Sequence, residues 1–196
     1  MLKTFYENKS FGHKWEQPPI IIDSQIVSVT GTEVVTVDEA KAWALIDTSV
    51  DDTVIGLMIT SVRQSLENYI SRDIVAKSRK FYIEQAIRPI ALPYAPIDAI
   101  SAVTYTQDNT ALVLNEDYYI RGLENKVVDF VTYNKDYVTI SYTTIGITDQ
   151  AVKDSVKATF EYLYNSRGLV SMDGFKGFEI PLTAKYLING YKKAFL

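Results

Sequence analysis

Apolar residues recur every three to four positions in two consecutive segments, which predicts two amphipathic helices over residues 37–46 and 51–71. Thr36 followed three residues later by Glu39 is a capping box, so the first helix is expected to begin directly after Thr36. Asp51 and Asp52 favour the start of the second helix, where free amides and the helix dipole attract carboxylates. The apolar face of the first helix is expected to consist of Val37, Ala40, Ala44 and Leu45.

The second helix has one broad apolar side and one polar side. The polar side, expected to face solvent, holds Arg63, Gln64, Glu67 and Asn68. A helix of this kind packs onto a larger body. The apolar stripe consists of Val54, Ile55, Met58, Ile59, Val62, Leu66, Tyr69 and Ile70.

Between residues 77 and 144 the period changes to the alternation that is typical of strands. Short apolar runs are separated by prolines and polar turns, one of them centred on Asp108 and Asn109. An extended segment is also expected over residues 20–29, before the first helix. A third helix is predicted over 149–165, with Val152, Val156, Phe160 and Leu163 at helical spacing.

These elements predict an α+β fold, with a small helical core, an inserted β-rich block and extended N- and C-terminal arms. The helical core contains the two N-terminal helices and the closing helix. The expected organisation is an N-terminal arm and extended segment over 1–35, a central domain over 36–168 with the β-rich block at 77–144, and a C-terminal arm over 169–196.

Both arms are rich in aromatic residues and are candidate contact segments for another subunit or protein. From residue 167 onward five basic residues face two acidic ones, which leaves a net charge of −7 on residues 1–166. We expect removal of 169–196 to weaken assembly without unfolding the body. The N-terminal candidates are Phe5, Tyr6, Phe11 and Trp15, and the C-terminal candidates are Phe175, Phe178, Ile180, Leu182, Tyr186, Leu187, Tyr191, Lys192, Lys193 and Phe195.

Composition narrows the function classes. The 196 residues are 47% hydrophobic, enough for a core, and the net charge of −4 indicates no general basic surface for nucleic acid. The chain has no cysteine, so disulfides, thiolate metal sites and cysteine nucleophiles are excluded. No signal-peptide or membrane-spanning run occurs, so a soluble, non-membrane protein is expected.

Enzyme signatures are scarce. His13 is the only histidine, so neither a histidine-based triad nor the usual three-ligand zinc site can be built. Phosphate-loop, dinucleotide and serine-hydrolase motifs are absent, and no cofactor or metal is expected. Asp47, Asp51 and Asp52 together with Glu39 leave a metal-dependent nuclease open as an alternative, although helix capping accounts for these carboxylates more simply.

Three stretches carry a resemblance to a known family. They are VVTVDEAKAWALIDTSVDDTVIGLMITSVRQSLENYISRDIV, LPYAPIDAISAVTYTQDN and DQAVKDSVKATFEYLYNSRG, which together span about residues 34 to 168. Their order and spacing resemble the head-tail connector, or adaptor, family of tailed bacteriophages, the siphophage-type neck proteins. The arms before and after these stretches have no counterpart in that pattern.

The resemblance implies a non-enzymatic structural protein of the virion neck, made in the host cytoplasm. It implies a homo-oligomeric ring of twelve subunits beneath the portal protein, which offers a docking surface to a stopper, tail terminator or other tail protein. Genome DNA would pass through the lumen without specific binding. The alternative within the same class is another neck or tail-completion protein, a stopper or a tail terminator.

Overall fold

The structure is a computed structural model that describes residues 22–86, 89–132, 135–166 and 179–193. It is an α+β protein, as the sequence pattern predicts. The candidate residues Phe5, Tyr6, Phe11, Trp15, Phe175, Phe178 and Phe195, and also His13, lie outside the described residues. The elements in chain order are β1 (Ile22–Val29), α1 (Val37–Ala44), α2 (Asp52–Ile70), β2 (Lys77–Ala86), β3 (Ile90–Ala91), β4 (Ile97–Tyr105), β5 (Tyr118–Arg121), β6 (Val127–Phe130), β7 (Lys135–Thr144), α3 (Gln150–Ser166), α4 (Leu182–Ile188) and a 3₁₀ turn (Asn189–Tyr191).

The three predicted helices are present as α1, α2 and α3. The capping box at the start of α1 is complete: the Glu39 amide donates to Thr36 Oγ1 at 3.2 Å, and the Thr36 amide donates to Glu39 Oε2 at 2.8 Å. Helices α1 and α2 each end at a residue in the left-handed region, Leu45 with φ 56° and Ser71 with φ 56°. The local signals of the sequence therefore set these helix ends.

The capping box makes stability depend on pH. The amide of Thr36 donates to Glu39 and lowers the pKa of that carboxylate below its usual value. A carboxylate whose pKa is lower in the folded state stabilises the fold above its unfolded pKa of about 4.3, and this contribution is lost as the pH falls through the folded pKa. We expect Glu39→Ala to lower the free energy of unfolding by about 0.3–1 kcal/mol at pH 7 and by less at pH 3. Urea unfolding of the variant and the unsubstituted protein at pH 7 and pH 3 measures this loss of stability. An equal loss at both pH values would contradict the prediction.

The strands form two antiparallel sheets. The larger has the order β1-β2-β7-β4 and the smaller the order β3-β6-β5. In the larger sheet Phe81 of β2 lies opposite Ile140 of β7, which in turn lies opposite Val103 of β4. The extended segment predicted before α1 is β1, and it pairs with β2 from Ile22 to Val29. The larger sheet therefore includes a strand from outside residues 77–144.

Two hydrophobic cores hold the fold together. One lies among the strands and includes Phe81, Val103, Val128, Phe130 and Ile140. The other lies among the helices, where α2 contributes Ile55, Ile59, Val62 and Leu66, α3 contributes Val152, Val156 and Phe160, and α4 contributes Ile188. Full burial of each such side chain is worth about 1.5–3 kcal/mol, so both cores are substantial.

The expectation that Arg63 and Glu67 face solvent is wrong. Both side chains are almost completely buried, because the polar side of α2 also packs against the body. Arg63 meets Glu33, which precedes α1, and Glu67 meets Lys77 at the start of β2. Pairing with opposite charges from other parts of the chain offsets the desolvation penalty of burying these ions.

Candidate functional site

Glu67 is the centre of a buried ionic cluster between α2 and β2. Its Oε1 accepts hydrogen bonds from the main-chain amides of Ile74 and Val75 at 2.9 and 3.2 Å. Its Oε2 accepts from Arg63 Nη1 at 2.8 Å and from Lys77 Nζ at 2.6 Å. One carboxylate thus accepts from four donors, and it joins the end of α2 to the start of the larger sheet.

Asp73 extends the cluster across the sheet. Its carboxylate accepts from Lys77 Nζ at 3.0 Å, from Arg79 through two nitrogens at 2.6 and 2.7 Å, and from Thr144 Oγ1 at 2.9 Å. The Arg79 guanidinium also lies 3.7 Å from the centre of the Tyr94 ring, a cation–π contact. Burial disfavours the charged form of Arg79, but the hydrogen bonds and charge of Asp73 outweigh burial and raise the pKa of Arg79.

A cavity of about 640 Å³ lies beside this cluster, between β1, α2 and β2. Its walls combine buried charges with exposed polar groups of α2 and with residues of β1. Because the charged groups are already paired with one another, the arrangement is that of a structural ionic cluster. The lining residues are Asp23, Ser24, Gln25, Ile26, Val29, Arg63, Gln64, Glu67, Asn68, Lys77, Arg79 and Tyr94.

Three of the four carboxylates considered for a nuclease, Glu39, Asp51 and Asp52, are engaged in other contacts. Asp52 forms a 2.8 Å ion pair with Lys41, and Tyr164 Oη donates to Asp51 at 3.4 Å. Asp51 occupies the N-cap position of α2, but its side chain makes no capping hydrogen bond, so the predicted capping role is wrong for Asp51. Within the described ranges, no group of three or more His, Cys, Asp or Glu side chains is placed to hold a metal ion. Nor does any described helix have the length and apolarity needed to cross a membrane.

The described part of the C-terminal segment is not a free arm. Helix α4 packs on α3 and completely buries Ala184 and Ile188, and Ile180 and Tyr191 pack partly against the same helical core. Tyr191 Oη also donates to Asp149 Oδ2 at 2.6 Å. After Gly168, the apolar residues of the sequence show no regular spacing that would mark a core-facing side. Helix α4 nevertheless has such a side over 182–188.

The opposite side of α4 carries an exposed apolar stripe, defined as Leu182, Tyr186 and Leu187. Tyr186 is 75% exposed and Leu182 66%. All three are among the residues that the sequence singles out as candidate contacts. The three candidates on α4 therefore lie on its exposed side, whereas Ile180 before the helix and Tyr191 after it pack against the helical core.

The two lysines after α4 are tied to the body. Lys192 Nζ lies 4.3 Å from the centre of the Tyr69 ring, and the Lys193 amide donates to the Ile70 carbonyl at 3.0 Å. Lys193 Nζ donates to Asn125 Oδ1 at 2.9 Å, and burial lowers the pKa of Lys193. The Lys192 side chain and the Lys193 amide thus hold the end of the 3₁₀ turn against α2, and the Lys193 side chain joins it to the loop between β5 and β6.

A second exposed apolar surface lies where α1 meets α2. It consists of Leu45, Val50, Val54 and Leu57, of which Leu45 and Val50 are each 88% exposed. Sequence periodicity placed Leu45 and Val54 on packed faces, and this is wrong. Leu45 is the left-handed residue that ends α1, so its side chain leaves the helical face. Leu57 was missed because it falls outside the apolar stripe of α2.

The third exposed apolar surface is β1 itself. Seven of its eight residues are exposed, among them Ile22, Ile26, Val27 and Val29, whose exposed fractions lie between 47% and 58%. The strand lies at the edge of the larger sheet. Exposed apolar surface at three separate places is unusual for a protein that acts alone, and it is typical of a subunit in an assembly.

Comparison with solved structures finds the same fold in components of a virus-like particle. A chain from the neck of an empty gene transfer agent (GTA) particle, computed with C6 symmetry, has a TM-score of 0.70 at 12% identity, covering 89% of this chain and 97% of the other. A chain from the virion of a native GTA particle has a TM-score of 0.69 at 12% identity, with coverages of 88% and 96%. A chain from the neck of a native GTA particle, computed with C12 symmetry, gives 0.54 at 12% identity, with coverages of 86% and 97%.

No protein-family model matches the chain, and no curated protein matches it. At 12% identity the likeness concerns the fold alone. The match covers 96–97% of each of these chains and 86–89% of this one.

Proposed function

We propose that this protein is a structural, non-enzymatic component of the neck of a tailed-phage-like particle, where it acts as the head-tail adaptor. In this role it forms a homo-oligomeric ring beneath the portal protein and presents a docking surface to a stopper or tail terminator. The observation that carries the proposal is the fold likeness to GTA neck chains over 97% of their length. Its place is then the virion neck, reached after synthesis in the host cytoplasm.

Ring formation is supported by symmetry and by surface chemistry. The neck assemblies with this fold were computed with C6 and C12 symmetry, and a ring of twelve subunits is compatible with both. A closed ring needs heterologous contacts, in which two different faces of one subunit meet. The separate apolar surfaces on β1, on the α1–α2 junction and on α4 provide such different faces.

The charge of the chain suits a ring through which DNA moves. The net charge is −4, and a negatively charged body repels the phosphate backbone rather than gripping it. This charge supports the proposal that DNA passes through the lumen without specific binding. A stopper or tail terminator is the alternative role, and we favour the adaptor because strand-dominated folds are expected for those proteins, whereas the described residues include four helices.

Co-sedimentation with capsids tests the proposal. The purified protein is mixed with DNA-filled, tailless capsids and, in parallel, with matched capsids that lack the portal. The adaptor role predicts binding that requires the portal. Failure to bind either capsid, or equal binding to both, would contradict it.

The outer stripe of α4 is the surface that we expect to contact the portal or a neighbouring subunit. The double substitution Leu182→Ser and Tyr186→Ser should reduce the amount of protein that co-sediments with portal-containing capsids by about tenfold or more, since exposed apolar anchors of this kind are worth about 1–2 kcal/mol each at interfaces. Both side chains are exposed, so the unfolding curve should stay the same. Tyr119→Ser and Leu123→Ser, in and just after β5, provide a control of the same residue types at exposed positions away from α4. Undiminished binding of a folded double variant would exclude this stripe.

A further inference from the structure

The outer edge of β1 is open within the described part of the chain. The strand pairs with β2 on one side. Across its other side, no residue in the described ranges makes a main-chain hydrogen bond to it. An edge strand of eight residues with exposed apolar side chains readily accepts another strand, and proteins usually protect such edges.

The opposite edge of the same sheet is protected by the chain itself. On β4, the Val103 carbonyl accepts from the Leu112 amide at 2.8 Å, and the Ile97 amide donates to the Glu124 carbonyl at 2.9 Å. Lys126 Nζ donates to the Ile97 carbonyl at 3.0 Å, and the register of β4 with β7 is irregular near its start. Bulges and covering segments are the usual means of blocking an edge. Among the described residues, the outer edge of β1 has no such protection.

We propose that residues 1–21 of a neighbouring copy of this chain pair with the outer edge of β1 as an added strand. The inference rests on the proposed function, because it takes the neighbour to be the adjacent subunit of the ring. It defines one of the ring contacts as a strand supplied in trans by the N-terminal arm.

The sequence of the arm fits the exposed side chains of β1. Phe11 and Trp15 are four residues apart, and so are Ile22 and Ile26. In paired strands, residues separated by four lie on one face, so each aromatic side chain can meet one isoleucine in a single register. Aromatic residues opposite β-branched residues are favourable cross-strand pairs. The arm therefore offers side chains that match the exposed face of β1.

Length and direction favour a neighbouring copy over the arm of the same chain. Twenty-one extended residues span up to about 70 Å, which is ample to reach an adjacent subunit. Pro18 and Pro19 stand close before β1, and consecutive prolines favour an extended backbone over a tight reversal. The two prolines therefore disfavour a tight hairpin between the arm and the β1 of the same chain.

Cysteine cross-linking tests the proposal in the full-length protein. The chain has no cysteine, so single substitutions are unambiguous. Val27→Cys on β1 is mixed with a second preparation that carries one cysteine at each position from 9 to 16 in turn, and Ala99→Cys on β4 replaces Val27→Cys in the control. Strand pairing in trans predicts disulfide-linked dimers between the two preparations, with a yield that alternates with a period of two. The best yield should exceed the control by about tenfold or more, because pairing holds the two thiols at high effective concentration.

Two results would overturn the proposal. One is a yield no higher than the Ala99→Cys control at every arm position. The other is a cross-link that forms only in a double variant, in which one chain carries both Val27→Cys and the cysteine of the arm. The ring itself is assessed separately, from the native mass of the unsubstituted protein alone and on portal-containing capsids. A ring without the trans cross-link would refute the strand exchange alone, and the absence of any ring would refute the proposed function.

Discussion

Replacing Glu67 with alanine should lower the free energy of unfolding by about 3–5 kcal/mol, because breaking a buried ion pair leaves uncompensated charges behind. Arg63 would keep Glu33 and Lys77 would keep Asp73, but the buried cluster would hold one excess positive charge. The amides of Ile74 and Val75 would also lose their acceptor. Urea unfolding followed by far-ultraviolet circular dichroism measures the change. The effect is expected to be large because one side chain serves four donors.

Glu124 provides the matched control. It is a carboxylate in an ion pair with Arg72 at 3.4 Å, and its side chain is 68% exposed. Exposed pairs of this kind contribute about 0–1 kcal/mol, so Glu124→Ala should change stability by no more than that. If Glu67→Ala and Glu124→Ala had the same small effect, the ionic cluster would not stabilise the join between α2 and the larger sheet.

Replacing Ile188 with alanine should destabilise the protein by about 2–5 kcal/mol, the range for truncating a fully buried large aliphatic residue. Ile188 has no exposed surface and packs into the helical core from α4. The expectation that residues 169–196 can be removed without affecting the body is accordingly revised: such a deletion removes a core residue. Thermal or urea unfolding of the full-length variant is the measurement.

Tyr186, on the same helix, is the control for Ile188. It is 75% exposed, and Tyr186→Ala should change stability by about 0.5 kcal/mol or less. A large difference between the two variants would show that α4 is docked in solution. Equal, small effects would mean that α4 contributes nothing to the folded body.

The regular elements were predictable because their signals are local. The capping box of Thr36 and Glu39 marks the start of α1, and the three-to-four spacing of apolar residues marks α2 and α3. The alternation over 77–144 likewise predicted strands, and β2 begins and β7 ends at those positions. Fold class follows from these patterns without knowledge of any long-range contact.

Other features depend on contacts between distant residues, which no local pattern encodes. The burial of Arg63 requires Glu33, thirty positions earlier in the chain. Helix α4 is short and has apolar residues on both sides. The spacing of its apolar residues therefore could not show that Ile188 is buried and Tyr186 exposed. For the same reason the candidate contact residues were named as one group, although Ile180 and Tyr191 pack against the core and the three on α4 are exposed.

The exposed surfaces were only partly predictable for a similar reason. Leu182, Tyr186 and Leu187 were proposed as contacts from composition, and all three are exposed. The edge position of β1 was not foreseen, because strand order within a sheet is a property of the whole fold. Whether any of these surfaces contacts a partner remains a prediction for the experiments above.

Cryo-electron microscopy of DNA-filled, tailless capsids incubated with this protein tests the central claim most directly. The account predicts a ring of additional density at one vertex only, beneath the portal, with this fold fitting each repeat of the ring. Capsids without the portal should show no such density. Density spread over the capsid surface, or none at the portal vertex at saturating protein, would contradict the assignment to the neck.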